Sequence, residues 1–206
     1  MMIGQLPEWL GMNGLTNRSL QCFLRDSYGS ATWTAVAREA RLGFDGFEAM
    51  LTYEPELTDA VIDAAARVLD RSRHSLMEDL GTYLVSHPNL EALRRLLRFG
   101  GVSFIDFLDS LEDLPARVRL ALPELVLPEF VLLDRGDGTF TLTCTATLDG
   151  IGHVLVGLLR AMADDYGALV LLDHQGVDGN LERVSIHLLD HAYAAGRQFE
   201  LATGLA

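Results

Sequence analysis

The sequence predicts an α+β fold, in which an N-terminal helical half is followed by an antiparallel sheet half with one inserted helix. Two observations predict it. As far as residue 128, apolar residues recur mainly three or four positions apart, which is typical of amphipathic helices. From Phe130 onward they alternate with a period of two, as in half-buried strands, apart from a helical stretch between Gly150 and Asp165. Helices first and strands afterwards favour an α+β domain.

Composition favours one acidic intracellular domain. The 206 residues, 49% of them hydrophobic, suffice for a substantial core. A net charge of −13 opposes binding to nucleic acid or to anionic membrane surfaces. There is no basic leader and no apolar run of the roughly eighteen residues that a membrane span needs, so we expect a cytoplasmic protein. Cys22 and Cys144 are too few for a disulfide framework, and we expect buried reduced thiols.

The helical half divides into separate amphipathic segments. They are predicted from Asn17 to Tyr28, from Ala31 to Arg41, after a cap at Thr58, after a cap at Ser75 and from Leu90 to Phe99. Gly100-Gly101 ends the last of these, and a further helix follows from Val102.

The sheet half begins with a hairpin. A strand over Phe130–Leu133 is followed by a turn at Arg135–Gly138 and a returning strand over Thr139–Thr147. In the returning strand threonines occupy one face and mainly apolar residues the other. After the inserted helix, strands at Leu169–Asp173 and Val184–Leu189 flank a polar loop over His174–Asn180.

One stretch resembles a known family. Residues 102–130 read VSFIDFLDSLEDLPARVRLALPELVLPEF and contain the pattern F-x-x-F-L-x-x-L-x-x-L, followed by P and P-x-F. The positions that match are Phe104, Phe107, Leu108, Leu111, Leu114, Pro123, Pro128 and Phe130. This is similar to the proximal helix and following loop of heme nitric oxide/oxygen binding (H-NOX) domains.

The resemblance implies the extent of the domain. Met12-Asn13-Gly14-Leu15 is similar to the family's M-x-G-L start, and the order of helices and strands agrees to about residue 190. We therefore expect an N-terminal extension over 1–11, an H-NOX-like domain over 12–190 and a C-terminal tail over 191–206. The resemblance also implies that Tyr83, Leu111 and Pro128 form walls of a heme pocket, Pro128 matching the proline that presses on the heme.

The chain departs from the family at the heme ligand. The matching pattern places Pro115 where H-NOX domains have the axial histidine. A proline offers no lone pair to iron, and inside a helix it removes a hydrogen bond and clashes with the preceding turn. It fits in a first turn or at a kink, so we expect a break near Asp113-Leu114.

A second departure lies in the predicted strand. H-NOX domains carry Y-x-S-x-R followed by x-G-L, and the three named side chains bind the heme propionates. Asp149-Gly150-Ile151 resembles the x-G-L segment, which places Cys144, Ala146 and Leu148 at the three motif positions. An apolar face would compensate two buried propionates poorly, at a cost of several kcal/mol per ion.

The remaining candidates give no alternative site. The six histidines are not placed by pattern at the pocket, and a lone histidine is more often a surface or hydrogen-bonded residue than a ligand. The sequence contains no metal motif, phosphate loop or nucleophile with a paired base, so we expect that the protein is not an enzyme and has no metal site.

These observations favour a stand-alone H-NOX-like sensory or regulatory domain in signal transduction. We expect no cofactor by the family's route and action through partner binding or another apolar ligand. The first alternative is a heme-based nitric oxide or oxygen sensor that holds heme b through a substituted axial ligand, and an enzyme is the second. Resemblance to bacterial H-NOX proteins implies a histidine kinase or a cyclic-di-nucleotide enzyme as the partner, with no nucleic acid and no membrane.

Overall fold

The computed structural model describes residues 12–121, 127–146 and 148–196. Their contacts divide them into two units, residues 12–76 and Met77–Ala121 with the residues from Leu127 onward. The expected extension over 1–11, Pro123, Thr147 and the tail from residue 197 lie outside the described residues.

The first unit is mainly helical. It contains α1 (Gly14–Tyr28), α2 (Ser30–Glu39) and α3 (Pro55–Leu69). It also contains two short strands that pair antiparallel, β1 (Met12–Asn13) and β2 (Thr52–Tyr53). Its core is formed by Leu20, Phe23, Leu24, Trp33, Val36, Phe47, Val61 and Ile62.

Two predicted helix caps in this region were wrong. α3 begins at Pro55, since the fixed φ of proline suits a first turn, and Thr58 is buried inside the helix. Its hydroxyl donates to Asn17 Oδ1 at 2.7 Å, so it joins α3 to α1. The next helix, α4 (Arg73–Ser86), is preceded by Ser72, whose Oγ accepts a hydrogen bond from Ser75 N at 3.1 Å.

The second unit contains the rest of α4 from Met77 on and three further helices before the sheet. A single 3₁₀ turn at Pro88–Leu90 leads into α5 (Glu91–Arg98). α6 (Phe104–Asp109) and α7 (Leu114–Ala121) follow, separated by turns. The predicted break near Asp113-Leu114 is therefore confirmed. The apolar residues that carried the family resemblance here are all buried: Phe104, Phe107, Leu108, Leu111 and Leu114.

Four antiparallel strands form the sheet of the second unit, in the order β3-β4-β6-β5. They are β3 (Phe130–Gly136), β4 (Thr139–Thr145), β5 (Leu169–Asp178) and β6 (Leu181–Asp190). Helix α8 (Ile151–Tyr166) lies between β4 and β5 in sequence and contacts β5 and β6. The predicted α+β class, with an antiparallel sheet and one inserted helix, is confirmed.

The predicted loop over His174–Asn180 was wrong. β5 continues through it to Asp178, and only Gly179 and Asn180 form the turn to β6. The strand pairing shifts register between His174 and Val177, where Gly176 has a φ of 90°. This irregularity lets a strand continue through a polar, glycine-containing segment that resembles a loop.

Helices α4 and α8 approach each other closely. A Cβ on Gly81 would overlap the Val154 carbonyl, and a Cβ on Gly157 would overlap the Glu78 carbonyl. The Thr82 hydroxyl lies 3.3 Å from the Gly157 carbonyl oxygen in the same contact. Backbones can approach this closely only where side chains are absent, so the packing of the two helices requires glycine at both positions.

Over the described ranges, no helix combines the length and the apolar character that a membrane crossing requires.

Candidate functional site

Pro115 is the second residue of α7 and is buried. A first turn lacks internal acceptors for its N–H groups, so the missing proline N–H costs nothing there. The turn before it is closed by Leu114 N, which donates to Leu111 O at 3.1 Å, and Arg117 N donates to Asp113 O at 3.0 Å. A pyrrolidine ring therefore occupies the interior position at which the family pattern has an imidazole.

The three expected pocket-wall residues all lie in the second unit and are all buried. Leu111 lies in the turn between α6 and α7, and Pro128 lies two residues before β3. Tyr83 is on α4, with its ring 4.7 Å from the His87 ring between centroids. The structure places these side chains in the interior, and their role as the walls of one pocket stays a prediction.

The three propionate-motif positions do not share one strand. β4 ends at Thr145, so only Cys144 belongs to it, and Cys144 is buried opposite Phe130 of β3. Ala146 lies just beyond, where its N–H donates to Asn180 O at 2.6 Å. Leu148 lies in the bend before α8, and its carbonyl accepts from Ile151 N at 3.1 Å. Ala146 and Leu148 are half-buried.

A carboxylate that the sequence did not suggest lies beside this strand. Glu182 of β6 pairs directly with Cys144 and is fully buried. Its Oε1 accepts a hydrogen bond from Gly150 N at 3.0 Å, and its Oε2 accepts one from Gly152 N at 2.9 Å. Gly150 is the N-cap of α8 and Gly152 is its second residue, so both amides lie at the helix N-terminus, where the helix dipole favours a negative charge. Glu182 therefore caps α8 from a neighbouring strand.

Two histidines extend this arrangement. His174 Nε2 lies 2.8 Å from Glu182 Oε2, and its ring is 4.2 Å from the ring of His153 between centroids. His153 Nδ1 lies 3.4 Å from Glu78 Oε1 on α4, and Arg160 donates to the other oxygen of Glu78 at 3.0 Å. We call His153, His174, Glu78 and Glu182 the histidine–carboxylate cluster.

The electrostatics near Cys144 disfavour anions. Burial, and then the negative charge of Glu182, raise the pKa of the Cys144 thiol to about 12. The thiol is therefore neutral and is a weak hydrogen-bond donor.

These residues do not fit heme held in the family's way. Pro115 cannot ligate iron, and Cys144, Ala146 and Leu148 supply neither a guanidinium nor a hydroxyl for propionates. The Glu182 carboxylate, which pairs with Cys144 across the sheet, has the same sign of charge as a propionate. Among the described residues, no group of three or more histidine, cysteine or acidic side chains is arranged to hold a metal ion.

The family model described as Haem-NO-binding matches residues 13–174. The soluble guanylate cyclase gcy-31 of Caenorhabditis elegans is 25% identical over 181 residues, which are 86% of this chain and 26% of that protein. The soluble guanylate cyclase 89Db of Drosophila melanogaster is 22% identical and covers 77% of this chain and 24% of its own length. The chain thus spans about a quarter of these curated relatives.

Solved structures share the fold. A mutant H-NOX protein from S. oneidensis in the Fe(II) ligation state has a TM-score of 0.73 at 15% identity and covers 87% of this chain and 97% of its own. A mutant of the T. tengcongensis H-NOX has a TM-score of 0.71 at 11% identity, with 87% and 99% covered. The expected resemblance is confirmed, and the chain belongs to the Haem-NO-binding, or H-NOX, family of heme-based nitric oxide and oxygen sensor domains.

Proposed function

We propose that this chain is a sensory or regulatory H-NOX domain that does not hold heme through the family's ligands and that acts through a protein partner or another apolar ligand. The proposal concerns the domain only. It assigns no catalytic activity to it.

Pro115 is the observation that carries the proposal. Its ring is buried in the first turn of α7, a position that a proline fits without strain. Recovering an axial ligand at this position would require a different residue, since no rotation of a proline presents a lone pair. The break between α6 and α7 thus places Pro115 in a first turn, where its backbone is compatible with a helix.

The histidine–carboxylate cluster supports the same conclusion independently. The buried Glu182 carboxylate accepts hydrogen bonds from Gly150 N and Gly152 N at the start of α8, and it lies beside Cys144. A second carboxylate brought into this region would meet a like charge and a neutral thiol. A ligand without carboxylates is compatible with these surroundings.

The alternative is a heme-based nitric oxide or oxygen sensor with a substituted axial ligand. Family membership and the retained, buried Pro128 favour it. His153 and His174 are two imidazoles of the cluster that contains Glu182, and each lies within 3.4 Å of a carboxylate oxygen. Ligation by either ring would need its carboxylate contact to rearrange.

A signalling enzyme is the proposed partner. The curated relatives are named soluble guanylate cyclases and are about four times as long as the matched region. In this proposal the domain regulates a signalling enzyme. Resemblance to bacterial H-NOX proteins favours a histidine kinase or a cyclic-di-nucleotide enzyme as that partner.

Absorption titration of the purified chain with ferrous heme tests the proposal. Spectra are recorded in the Soret region without oxygen, before and after nitric oxide is added. The proposal predicts no saturable protein-dependent band. A saturable band that shifts with nitric oxide would establish the alternative, and single replacement of His153 and His174 by Phe would then identify whether either ring is the ligand.

A further inference from the structure

The two histidines of the cluster are stacked on each other while each faces a carboxylate. The ring centroids of His153 and His174 are 4.2 Å apart, with an interplanar angle of 39°. His153 is 9% exposed, and the His174 side chain is 14% exposed. The rings come from α8 and β5, and their acidic partners Glu78 and Glu182 come from α4 and β6. One side-chain stack therefore joins four elements of the second unit.

Two acidic side chains and one arginine take part in the contacts of the histidine–carboxylate cluster given above. Glu78 and Glu182 contribute two negative charges, and Arg160, 3.0 Å from Glu78, contributes one positive charge. Cys144 faces Glu182 from β4 as a neutral thiol. A single positive charge on the two rings balances these three charges.

Two electrostatic effects disfavour a second proton on the pair of histidine rings. It would place two positive charges about 4 Å apart in a partly desolvated position, where their repulsion is much stronger than in water. It would also put a cation in the first turn of α8, at the positive end of the helix dipole. Glu182 lies 2.8 Å from His174, whereas Glu78 lies 3.4 Å from His153 and is shared with Arg160.

The space around the stack leaves little room for adjustment. A Cβ on Gly152 would lie 2.6 Å from both Glu182 Oε2 and His174 Cδ2. The α4–α8 contact is equally close at Gly81 and Gly157. Repulsion between the rings is therefore relieved most easily by outward movement of the first turn of α8, which carries His153.

We propose that the histidine–carboxylate cluster is a proton-operated latch. With one proton on the ring pair, the latch holds the first turn of α8 against α4 and β6. Uptake of a second proton separates His153 from His174 and opens that turn. This goes beyond the proposed function, because it gives the domain an input, acidification, that requires no pocket ligand.

Hydrogen–deuterium exchange of the full chain tests the latch. Peptides that cover the first turns of α8 are followed between pH 8 and pH 5, with rates divided by the intrinsic rate at each pH. We expect their protection to fall roughly tenfold for each pH unit over which the second proton binds. In His153→Phe, which keeps a stacked ring that cannot be charged, this pH dependence is expected to disappear. His187→Phe, on the exposed side of β6 beside Thr139, serves as the matched control and is expected to behave like the unmodified protein.

Two results would overturn the proposal: α8 protection that does not depend on pH in the unmodified protein, or an unchanged dependence in His153→Phe. Should that variant fail to fold, histidine NMR titration of the unmodified protein decides. Two coupled protonation steps shared by His153 and His174 support the latch. Independent titration of the two rings contradicts it.

Discussion

The Glu182 carboxylate accepts a hydrogen bond from the backbone N–H of Gly150 at 3.0 Å, across 32 residues of sequence. A buried carboxylate on a strand thereby stabilises the start of the helix that lies on the sheet. The same carboxylate lies beside Cys144, one of the positions at which the chain departs from the H-NOX propionate motif.

Replacing this carboxylate tests its role as a cap. Glu182→Gln retains the size of the side chain but removes the charge that binds Gly150 N, Gly152 N and His174. We expect a loss of about 1–3 kcal/mol in the free energy of unfolding, measured with urea at pH 7. The control Glu129→Gln removes the charge of a side chain that is 69% exposed, and it is expected to change stability by less than about 0.5 kcal/mol. Equal effects of the two substitutions on the free energy of unfolding would contradict the role of Glu182 as the cap of α8.

The close contact of α4 and α8 predicts that Gly→Ala substitutions in it lower the stability of the protein, the opposite of their usual effect in a helix. In an open helix, Gly→Ala stabilises by about 1 kcal/mol because alanine is the better helix former. At Gly81 and Gly157 the added methyl would overlap a backbone carbonyl, so we expect destabilisation by about 1–3 kcal/mol instead. Thermal or urea unfolding of each single variant measures it, and a stabilised variant would show that the helices lie further apart.

The buried thiol predicts a loss of stability in alkali. The pKa of Cys144 is raised from 9.0 to about 12, so the folded state retains the thiol proton more strongly than the unfolded chain. This contribution is complete below pH 9 and is lost as pH rises towards 12, by at most about 2 kcal/mol at pH 10.5. Unfolding of the unmodified protein is compared with that of Cys144→Ala at pH 8 and pH 10.5. The difference between them should shrink at the higher pH, and a constant difference would contradict the raised pKa.

The same thiol should react slowly. Cys144 is buried and Cys22 is only half-buried. In native protein at pH 8, we expect iodoacetamide to label Cys22 well before Cys144, because the thiolate is the reactive form. Peptide mass spectrometry of a time course measures both sites. Faster labelling of Cys144 would mean that it is exposed or ionised in solution.

The hydrogen bonds at the start of α6 predict that the stability of the protein decreases at acidic pH. Asp106 accepts hydrogen bonds from the N–H groups of Ser103 and Val102, and its own N–H donates to the Ser103 hydroxyl. The Ser103 contacts lower the pKa of Asp106 below its ordinary value. The stabilisation is therefore present above that ordinary value and is lost as pH falls through the lowered one. Asp106→Asn should unfold at lower denaturant than the unmodified protein at pH 7, and the difference between the two midpoints should shrink as the pH falls below the ordinary pKa of an aspartate.

Local patterns in the sequence predicted much of the second unit. The buried face of β4, with Phe140, Leu142 and Cys144, follows from strict alternation, and the break before α7 follows from the backbone chemistry of Pro115. Both features depend on residues close together in sequence. This is the range over which period and backbone geometry are informative.

The histidine–carboxylate cluster could not be assembled in that way, because Glu78, His153 and Glu182 come from three separate elements. A signal for Glu182 was nevertheless present. Glu182, Val184, Ile186 and Leu188 alternate on one face of β6, so a strand begun at Leu181 would have placed a carboxylate on the buried side. The Asp178-Gly179-Asn180 turn marks that start, since Asp-Gly is a common hairpin turn. Taking His174–Asn180 as a loop concealed both Glu182 and His174.

The central claim is that Pro115 and the altered motif strand prevent heme binding by the family's route. The most direct measurement is a ferrous heme titration of the unmodified chain beside Pro115→His and Pro115→His combined with Cys144→Tyr, Ala146→Ser and Leu148→Arg. Ala116→His, which adds a histidine at the exposed neighbouring position, is the control. The account predicts no saturable Soret band for the unmodified chain or the control, and a nitric oxide-responsive band in the fourfold variant. A saturable, nitric oxide-responsive band in the unmodified chain would contradict it.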